Sequence, residues 1–206
     1  MGIKDNFEYI NTLLPESVKL IAVSKYHTED EIMELYSLGQ RDFGENKVQD
    51  MVSKAEALPD DIRWHLIGHL QTNKVKYIIG KTCLIHSLDR YELAREIDKR
   101  SQTAGIVTDC LVQINSTGID SRFGVPPEEA EDFIRSMSEY KNIRIRGIMG
   151  MAPITDNPTP YFELLKEVYD KCAPKDGILS MGMSGDFETA IKCGSTMVRI
   201  GSKLFK

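Results

Sequence analysis

Lys19-Leu-Ile-Ala-Val-Ser24-Lys25, followed by Thr28-Glu-Asp-Glu31-Ile-Met-Glu-Leu-Tyr-Ser-Leu-Gly39, is the stretch on which the fold turns. The first run is short, apolar and rich in β-branched residues, the signature of a strand buried on both faces, with Lys25 at its C-terminal lip. The second opens with a capping box, Thr28 to Glu31, and then carries Ile32, Leu35 and Tyr36 at helical spacing before Gly39 stops it. A buried strand followed by a one-sided helix is the building unit of α/β proteins.

The unit recurs along the chain. Asp42-Phe-Gly is a short second strand, and Asn46 can cap a helix whose stripe is Val48, Met51, Val52, Ala55 and Leu58. Trp64–Gly68 precedes a helix over Leu70–Ile79; Cys83–His86 precedes one carrying Tyr91, Ala94 and Ile97. Cys110–Asn115 leads through a polar loop to a helix that Pro127 can start. Ile143–Met151 leads to Thr159–Cys172, and Gly177–Met181 to a helix from near Asp186 to Gly194. Met197–Ile200 is the eighth strand, followed by one short turn. Eight such units predict a (β/α)₈ TIM barrel, with residues 1–206 as one domain. An open doubly wound sheet in its dinucleotide-binding form needs a G-x-G-x-x-G turn after the first strand, and none is there. Residues 1–15, with Phe7, Ile10, Leu13 and Leu14 closed by Pro15, read as an extra N-terminal helix expected to cover the barrel bottom.

The chain has 206 residues, 41% hydrophobic and 28% charged, with a net charge of −5 and no Lys/Arg block. That balance lacks the electrostatic footprint of a nucleic-acid binder. No apolar run is long enough to cross a bilayer, and the first residues lack an apolar signal region, so a cytoplasmic protein without membrane attachment is expected. Cys83, Cys110, Cys172 and Cys193 form no Cys-x-x-Cys pair. His65 and His69 have the i, i+4 spacing of a helical metal pair but fall on a strand and turn, so no metal site is expected.

Active sites of such barrels form at the C-terminal strand ends. The residues placed there are Lys25, Glu45-Asn46, His65, His86-Ser87, Asn115, Met149, Ser180, Ser184 and Arg199. Taken alone, Lys25 reads more simply as a surface lysine. The end of the chain alters that reading. Ser180-Met-Gly-Met-Ser184-Gly185-Asp186 is a Gly/Ser turn after strand seven, and Arg199-Ile-Gly201-Ser202 follows strand eight. These are the two positions at which barrels build a phosphate site. A phosphate cradle facing a lysine suits a phosphorylated aldehyde bound as an imine. Pyridoxal 5′-phosphate (PLP) has that phosphate and aldehyde, and a ring nitrogen that Arg199 is placed to meet. An arginine offers no proton acceptor, so the ring nitrogen would stay unprotonated and the ring would be a weak electron sink.

Several motifs stand together here: Ala22-Val-Ser-Lys25, Phe43-Gly-Glu-Asn-Lys-Val-Gln49, Trp64-His-Leu-Ile-Gly68 with Leu70-Gln-Thr-Asn-Lys74, and Ile85-His-Ser-Leu-Asp89. Leu179-Ser-Met-Gly-Met-Ser184 with Asp186-Phe-Glu, and Val198-Arg-Ile-Gly201, complete them. Jointly they resemble the pyridoxal-phosphate homeostasis protein family, over Leu20 to Phe205. The resemblance implies a barrel like the N-terminal domain of alanine racemase, with Lys25 as the Schiff-base lysine. It implies phosphate binding by Ser184, Gly201 and Ser202, Arg199 at the ring nitrogen, and Asn46 and His86 lining the pocket. One departure is Arg122, in Thr117-Gly-Ile-Asp-Ser-Arg-Phe-Gly124, where the family usually has lysine; charge is kept, but a lysine-specific relay would not be.

The function implied is intracellular vitamin B6 homeostasis: holding PLP and limiting free aldehyde, as a monomer with apo PLP-enzymes as recipients, without robust amino-acid turnover and with no catalytic residue. Two alternatives stand beside it. An amino-acid racemase needs acid/base groups on both faces of the ring, and in barrel racemases one comes from an added C-terminal β-domain for which residues are lacking here. A cofactor-independent Schiff-base aldolase uses the lysine and phosphate site but leaves Arg199 without a role.

Overall fold

The structure, a computed structural model, describes residues 2–119 and 123–206. The eight strands are β1 (Lys19–Val23), β2 (Asp42–Glu45), β3 (Arg63–Leu66), β4 (Leu84–Leu88), β5 (Thr108–Gln113), β6 (Ile143–Met149), β7 (Ile178–Met183) and β8 (Met197–Ile200). They pair in parallel in sequence order and close into a barrel. Closure is made by β1 on β8, with Lys19 opposite Met197, Ile21 opposite Arg199 and Ala22 opposite Ile200. The helices are α1 (Ile3–Leu13), α2 (Glu29–Ser37), α3 (Val48–Ala57), α4 (Tyr91–Ala104), α5 (Ala130–Ser136), α6 (Thr159–Cys172), α7 (Phe187–Lys192) and α8 (Ser202–Phe205). The protein is a (β/α)₈ barrel, as the alternating pattern predicts.

Two apolar cores follow from the alternation of side chains along each strand. The large one lies between sheet and helices, and Phe43, Phe162 and Phe187 are among its fully buried members. The small one joins Ile21, Leu84, Leu111, Met149 and Met197, which come from five different strands and can meet only inside the barrel. The Thr28–Glu31 box forms as read. Glu31 N–H donates to Thr28 Oγ1 at 3.3 Å, and Thr28 N–H donates to Glu31 Oε2 at 2.7 Å.

Three local readings are corrected. The N-terminal helix does not lie across the bottom: α1 packs along the flank against α2 and α8. Asn6 Nδ2 donates to Leu204 O and Lys206 O, so α1 begins beside the turn that leaves the top of β8 and then runs down to β1. The helix expected over Leu70–Ile79 is a 3₁₀ helix, Thr72–Tyr77, whose three-residue turn puts Val75 and Ile78 on one buried side. Asn46 does not cap α3: the cap position is Lys47, without a side-chain cap bond. Of the four free thiols only Cys110 is fully buried.

Among the described residues, no helix is long and apolar enough to cross a membrane, and no group of three or more His, Cys, Asp or Glu residues is disposed to hold a metal ion. Arg122 lies outside the described residues.

Gly147 sits where β6 meets β7, at φ +146°, and a Cβ there would lie 2.0 Å from Ile178 O. Gly147→Ala must therefore push the two strands apart. The expected loss is about 3 kcal/mol or more, read as a lower urea midpoint with unchanged slope; a wild-type midpoint would contradict this strand contact.

Candidate functional site

Lys25 stands in a turn that its neighbours hold from below. His27 N–H donates to Ser24 O at 3.1 Å, and Tyr26 takes φ +70°, a left-handed conformation that costs a bulky residue energy. Beneath the turn, Glu45 Oε1 accepts from Ser24 Oγ at 2.8 Å and from Lys54 Nζ at 2.6 Å. Lys54 Nζ also donates to Ser24 O at 2.8 Å, so α3 and β2 clamp the end of β1. Lys25 itself is half-buried. Among the described residues its ammonium meets only the Tyr26 ring, 5.9 Å from the centroid, and makes no hydrogen bond or ion pair.

The turn after β7 is locked by a reciprocal pair: Met183 N–H donates to Asp186 Oδ1 at 2.6 Å, and Asp186 N–H to Met183 O at 3.1 Å. The turn after β8 is joined to it, because Gly201 N–H donates to Ser184 Oγ at 3.2 Å. Gly201 also fits closely under Val23, whose carbonyl oxygen would lie 3.1 Å from any Cβ added there. Both turns therefore sit against the end of β1.

Arg199 is 4% exposed and forms part of the cavity floor. Its Nη1 donates to Ser180 O at 2.8 Å and Ser180 Oγ at 2.6 Å, and its Nη2 to Gly150 O at 3.0 Å. Three of the five guanidinium N–H donors are thus spent on described residues, leaving two for the cavity that Arg199 lines. Burial pulls its pKa down to about 10, against the opposing charge of Asp186, and it remains a cation at neutral pH.

One cavity of about 520 Å³, at the C-terminal end of the barrel, is lined by Lys25, Asn46, Ser184, Arg199, Gly201 and Ser202. That volume suits a small cofactor. Six of the seven binding residues named from the sequence are therefore brought together. Asn46 is held in the wall by close backbone contact, since a Cβ on Gly68 would lie 2.2 Å from Asn46 O. A larger hollow of about 670 Å³ lies outside the barrel mouth, beside the starts of α2 and α3, but its charges, including Lys47, Asp50 and Lys54, are of both signs and Lys25 is not in it.

His86 is the exception and corrects the expectation that it lines the pocket. It is fully buried and lies beneath the cavity, 3.3 Å from Ser180 Oγ and 3.0 Å from His65 Nδ1. Ser180 and His65 are likewise buried one layer down, and Met149 belongs to the interior apolar cluster. Asn115 is turned into its own loop, with Oδ1 accepting from Thr117. Gln113, two residues earlier on β5, is the fifth-strand residue in the wall. His69, Phe123 and Met151 also line the cavity unannounced by the sequence. Strand parity points to Gln113, whereas His69 stacks on Phe123 at 3.7 Å only because two loops meet.

The alanine racemase N-terminal domain family matches residues 2–206. A pyridoxal phosphate homeostasis protein of Aquifex aeolicus is 45% identical over 195 residues, covering 91% of this chain and 86% of that protein. The human protein of the same name is 35% identical, covering 91% and 75%. The chain belongs to the pyridoxal phosphate homeostasis protein family. Among solved structures, PipY of Synechococcus elongatus with PLP bound superposes with a TM-score of 0.88 at 32% identity, covering 100% of both chains. Alanine racemase of Clostridium difficile shares the barrel at a TM-score of 0.82 and 18% identity, and this chain covers 56% of it.

The buried histidines give the family member a pH signature. Burial, with the charges of His65 and Arg199, pushes His86 well below the ordinary histidine value. Burial also lowers His65, although Asp42 opposes it. The unfolded chain therefore binds more protons than the folded one below about pH 6.5. This stability is present above the unfolded pKa and lost as pH falls beneath it. Between pH 7 and 5.5 the unfolding free energy should drop by about 1–2 kcal/mol, measured by urea titration, and His86→Gln should flatten the slope. A flat wild-type profile would show that the histidines are not buried neutral.

Proposed function

We propose that this chain holds PLP as a Schiff base on Lys25 and serves as a PLP carrier in vitamin B6 homeostasis, without robust amino-acid turnover. The observation that carries the reading is the donor set in one cavity: a half-buried amine with no hydrogen bond or ion pair among the described residues, two joined Gly/Ser turns, and a buried arginine with two donors not used by described residues. A phosphorylated aromatic aldehyde matches that set; its bound form supplies an imine and a pyridine ring able to take up electrons. The PLP named for PipY, 32% identical over its full length, supports the same ligand.

Each residue then has a physical task. Lys25 offers an amine at the cavity wall, the nucleophile that condenses with an aldehyde. Ser184 and Ser202 offer hydroxyl donors to phosphate, and Gly201 lets the backbone approach without a side chain. Asn46 adds an amide in the wall. Arg199 donates to the ring nitrogen and cannot accept its proton, so the ring is kept unprotonated and electron withdrawal is weakened. His86 acts beneath Arg199 and does not touch the ligand. The carrier reading includes apo PLP-enzymes as recipients of the cofactor.

Borohydride reduction followed by peptide mapping should place the pyridoxyl label on Lys25, and Lys25→Ala should lose the visible imine absorbance while keeping the fold. Ser184→Ala should weaken PLP binding by about 1–3 kcal/mol, the scale of a hydrogen bond to a charged group. Label on Lys47, Lys74 or Lys203 in place of Lys25, or unchanged affinity in Ser184→Ala, would move the site.

The carrier reading also predicts slow chemistry. Incubated with an L-amino acid in heavy water, the protein should yield at most slow α-deuteration and no D-isomer. Appearance of the D-isomer at roughly 1–10³ per second, the range of ordinary enzymes, would establish a racemase instead.

A further inference from the structure

The barrel interior holds a chain of polar groups where layers of branched apolar side chains are the rule. It starts at Arg199 in the cavity floor and ends at Asp42, at the N-terminal end of β2. Arg199 Nη1 meets Ser180 Oγ at 2.6 Å, Ser180 Oγ meets His86 Nδ1 at 3.3 Å, His86 Nε2 meets His65 Nδ1 at 3.0 Å, and His65 Nε2 meets Asp42 Oδ1 at 3.0 Å. His65, His86, Ser180 and Arg199 are each at most 4% exposed, and Asp42 is 6% exposed.

The ends of this chain determine every proton in it. Asp42 is held ionised: burial alone would raise its pKa, but hydrogen bonds from Arg63 and His65 carry it well below the carboxylate range. A carboxylate only accepts, so His65 Nε2 must carry hydrogen. A neutral His65 then has a bare Nδ1, which accepts from His86 Nε2–H. His86 in turn has a bare Nδ1, which accepts the Ser180 hydroxyl proton. At the other end a guanidinium only donates, and Ser180 Oγ is free to accept from it. One donor and one acceptor are used at each intermediate group, and all point the same way. Reversing any one of them leaves two hydrogens or two lone pairs facing each other.

We propose that Asp42, His65, His86 and Ser180 form a single donor-to-acceptor relay along the barrel axis that positions the Arg199 guanidinium and so sets how it meets a bound cofactor. The last clause rests on the assignment of Arg199 to the ring nitrogen; the relay itself does not. A purely structural network would satisfy buried polar groups and stop there. This one leads to Arg199, the one buried cation of the cavity wall among the described residues. Its far end is anchored at the opposite rim by Arg63 and by Lys19, whose Nζ is 3.8 Å from Asp42. His65, His86 and Ser180 are thus positioning residues and touch no ligand.

The ligand-free test is nitrogen NMR of the ¹⁵N-labelled full chain at pH 7, with signals assigned by His65→Gln and His86→Gln. Both histidines should be neutral and protonated on Nε2. Hydrogen exchange at the Arg199 side chain should accelerate about tenfold in His86→Leu, the equivalent of one lost bond to a charged group, and stay near wild type in His86→Gln, which can still donate and accept. The loaded test is the absorbance spectrum with PLP. His86→Leu should shift the visible band in the same direction as Arg199→Glu, and His86→Leu should add nothing once Arg199 is replaced. If His86→Leu fails to fold, Ser180→Ala severs the chain with a smaller change and must show the same shifts. A His86 protonated on Nδ1, or a folded severed variant with wild-type Arg199 exchange, overturns the relay. Absence of any PLP band in wild type overturns the carrier reading alone, and the NMR result still decides the relay.

Discussion

Parallel pairing of β1 with β8 is the constraint on which the site depends. Lys25 is three strand positions beyond Ala22, and Gly201 directly follows Ile200, the residue paired with Ala22. Closing the barrel therefore sets the lysine turn beside the turn after β8, from opposite ends of the sequence. The fit is close: Gly201 lies against Val23, and Ser184 ties the β7 turn to the β8 turn. Loosening this seam would separate the amine from the two Gly/Ser turns before it disturbed either one.

The inside of the barrel is divided between two kinds of filling. On one side Ile21, Leu84, Leu111, Met149 and Met197 pack as an apolar plug. Beside it, Arg199, Ser180, His86, His65 and Asp42 run as a connected polar column. Burying such groups is tolerable only when each is satisfied, because an orphaned donor or acceptor at low dielectric costs about 1–3 kcal/mol. The column meets that demand link by link. Its rigidity is passed to Arg199, which is further pinned to the backbone at Ser180 and Gly150.

On the reading we propose, the same arginine separates holding a cofactor from using it. A carboxylate at a ring nitrogen would stabilise a proton there and make the ring a strong electron sink, whereas a guanidinium can only donate. Lys25 is half-buried, makes no hydrogen bond or ion pair among the described residues, and stands above the clamp of Ser24, Glu45 and Lys54. Under the proposed carrier role such an arrangement favours retention over turnover, in keeping with the name its relatives carry.

What depends on neighbouring residues was legible in the sequence. The eight strand–helix units, the Thr28–Glu31 box, the lip position of Lys25 and the Gly/Ser turns at Ser184 and Gly201 are each set by periodicity, capping or backbone freedom within a few residues. What depends on depth and contact between distant strands was not. Asn46 looks like a helix cap until Gly68 packs on its backbone and α3 starts two residues later. His86 looks like a pocket residue because it ends a strand-like run, yet β4 continues to Leu88 and leaves it a layer below. Likewise α1, a sound amphipathic helix in sequence, finds its place only through Asn6 and the carbonyls of α8. Residue spacing along one strand specifies which face a side chain takes. Only closure of the barrel, with its register shifts between β4 and β5, β5 and β6, and β7 and β8, decides at what height each side chain stands and which partner it meets.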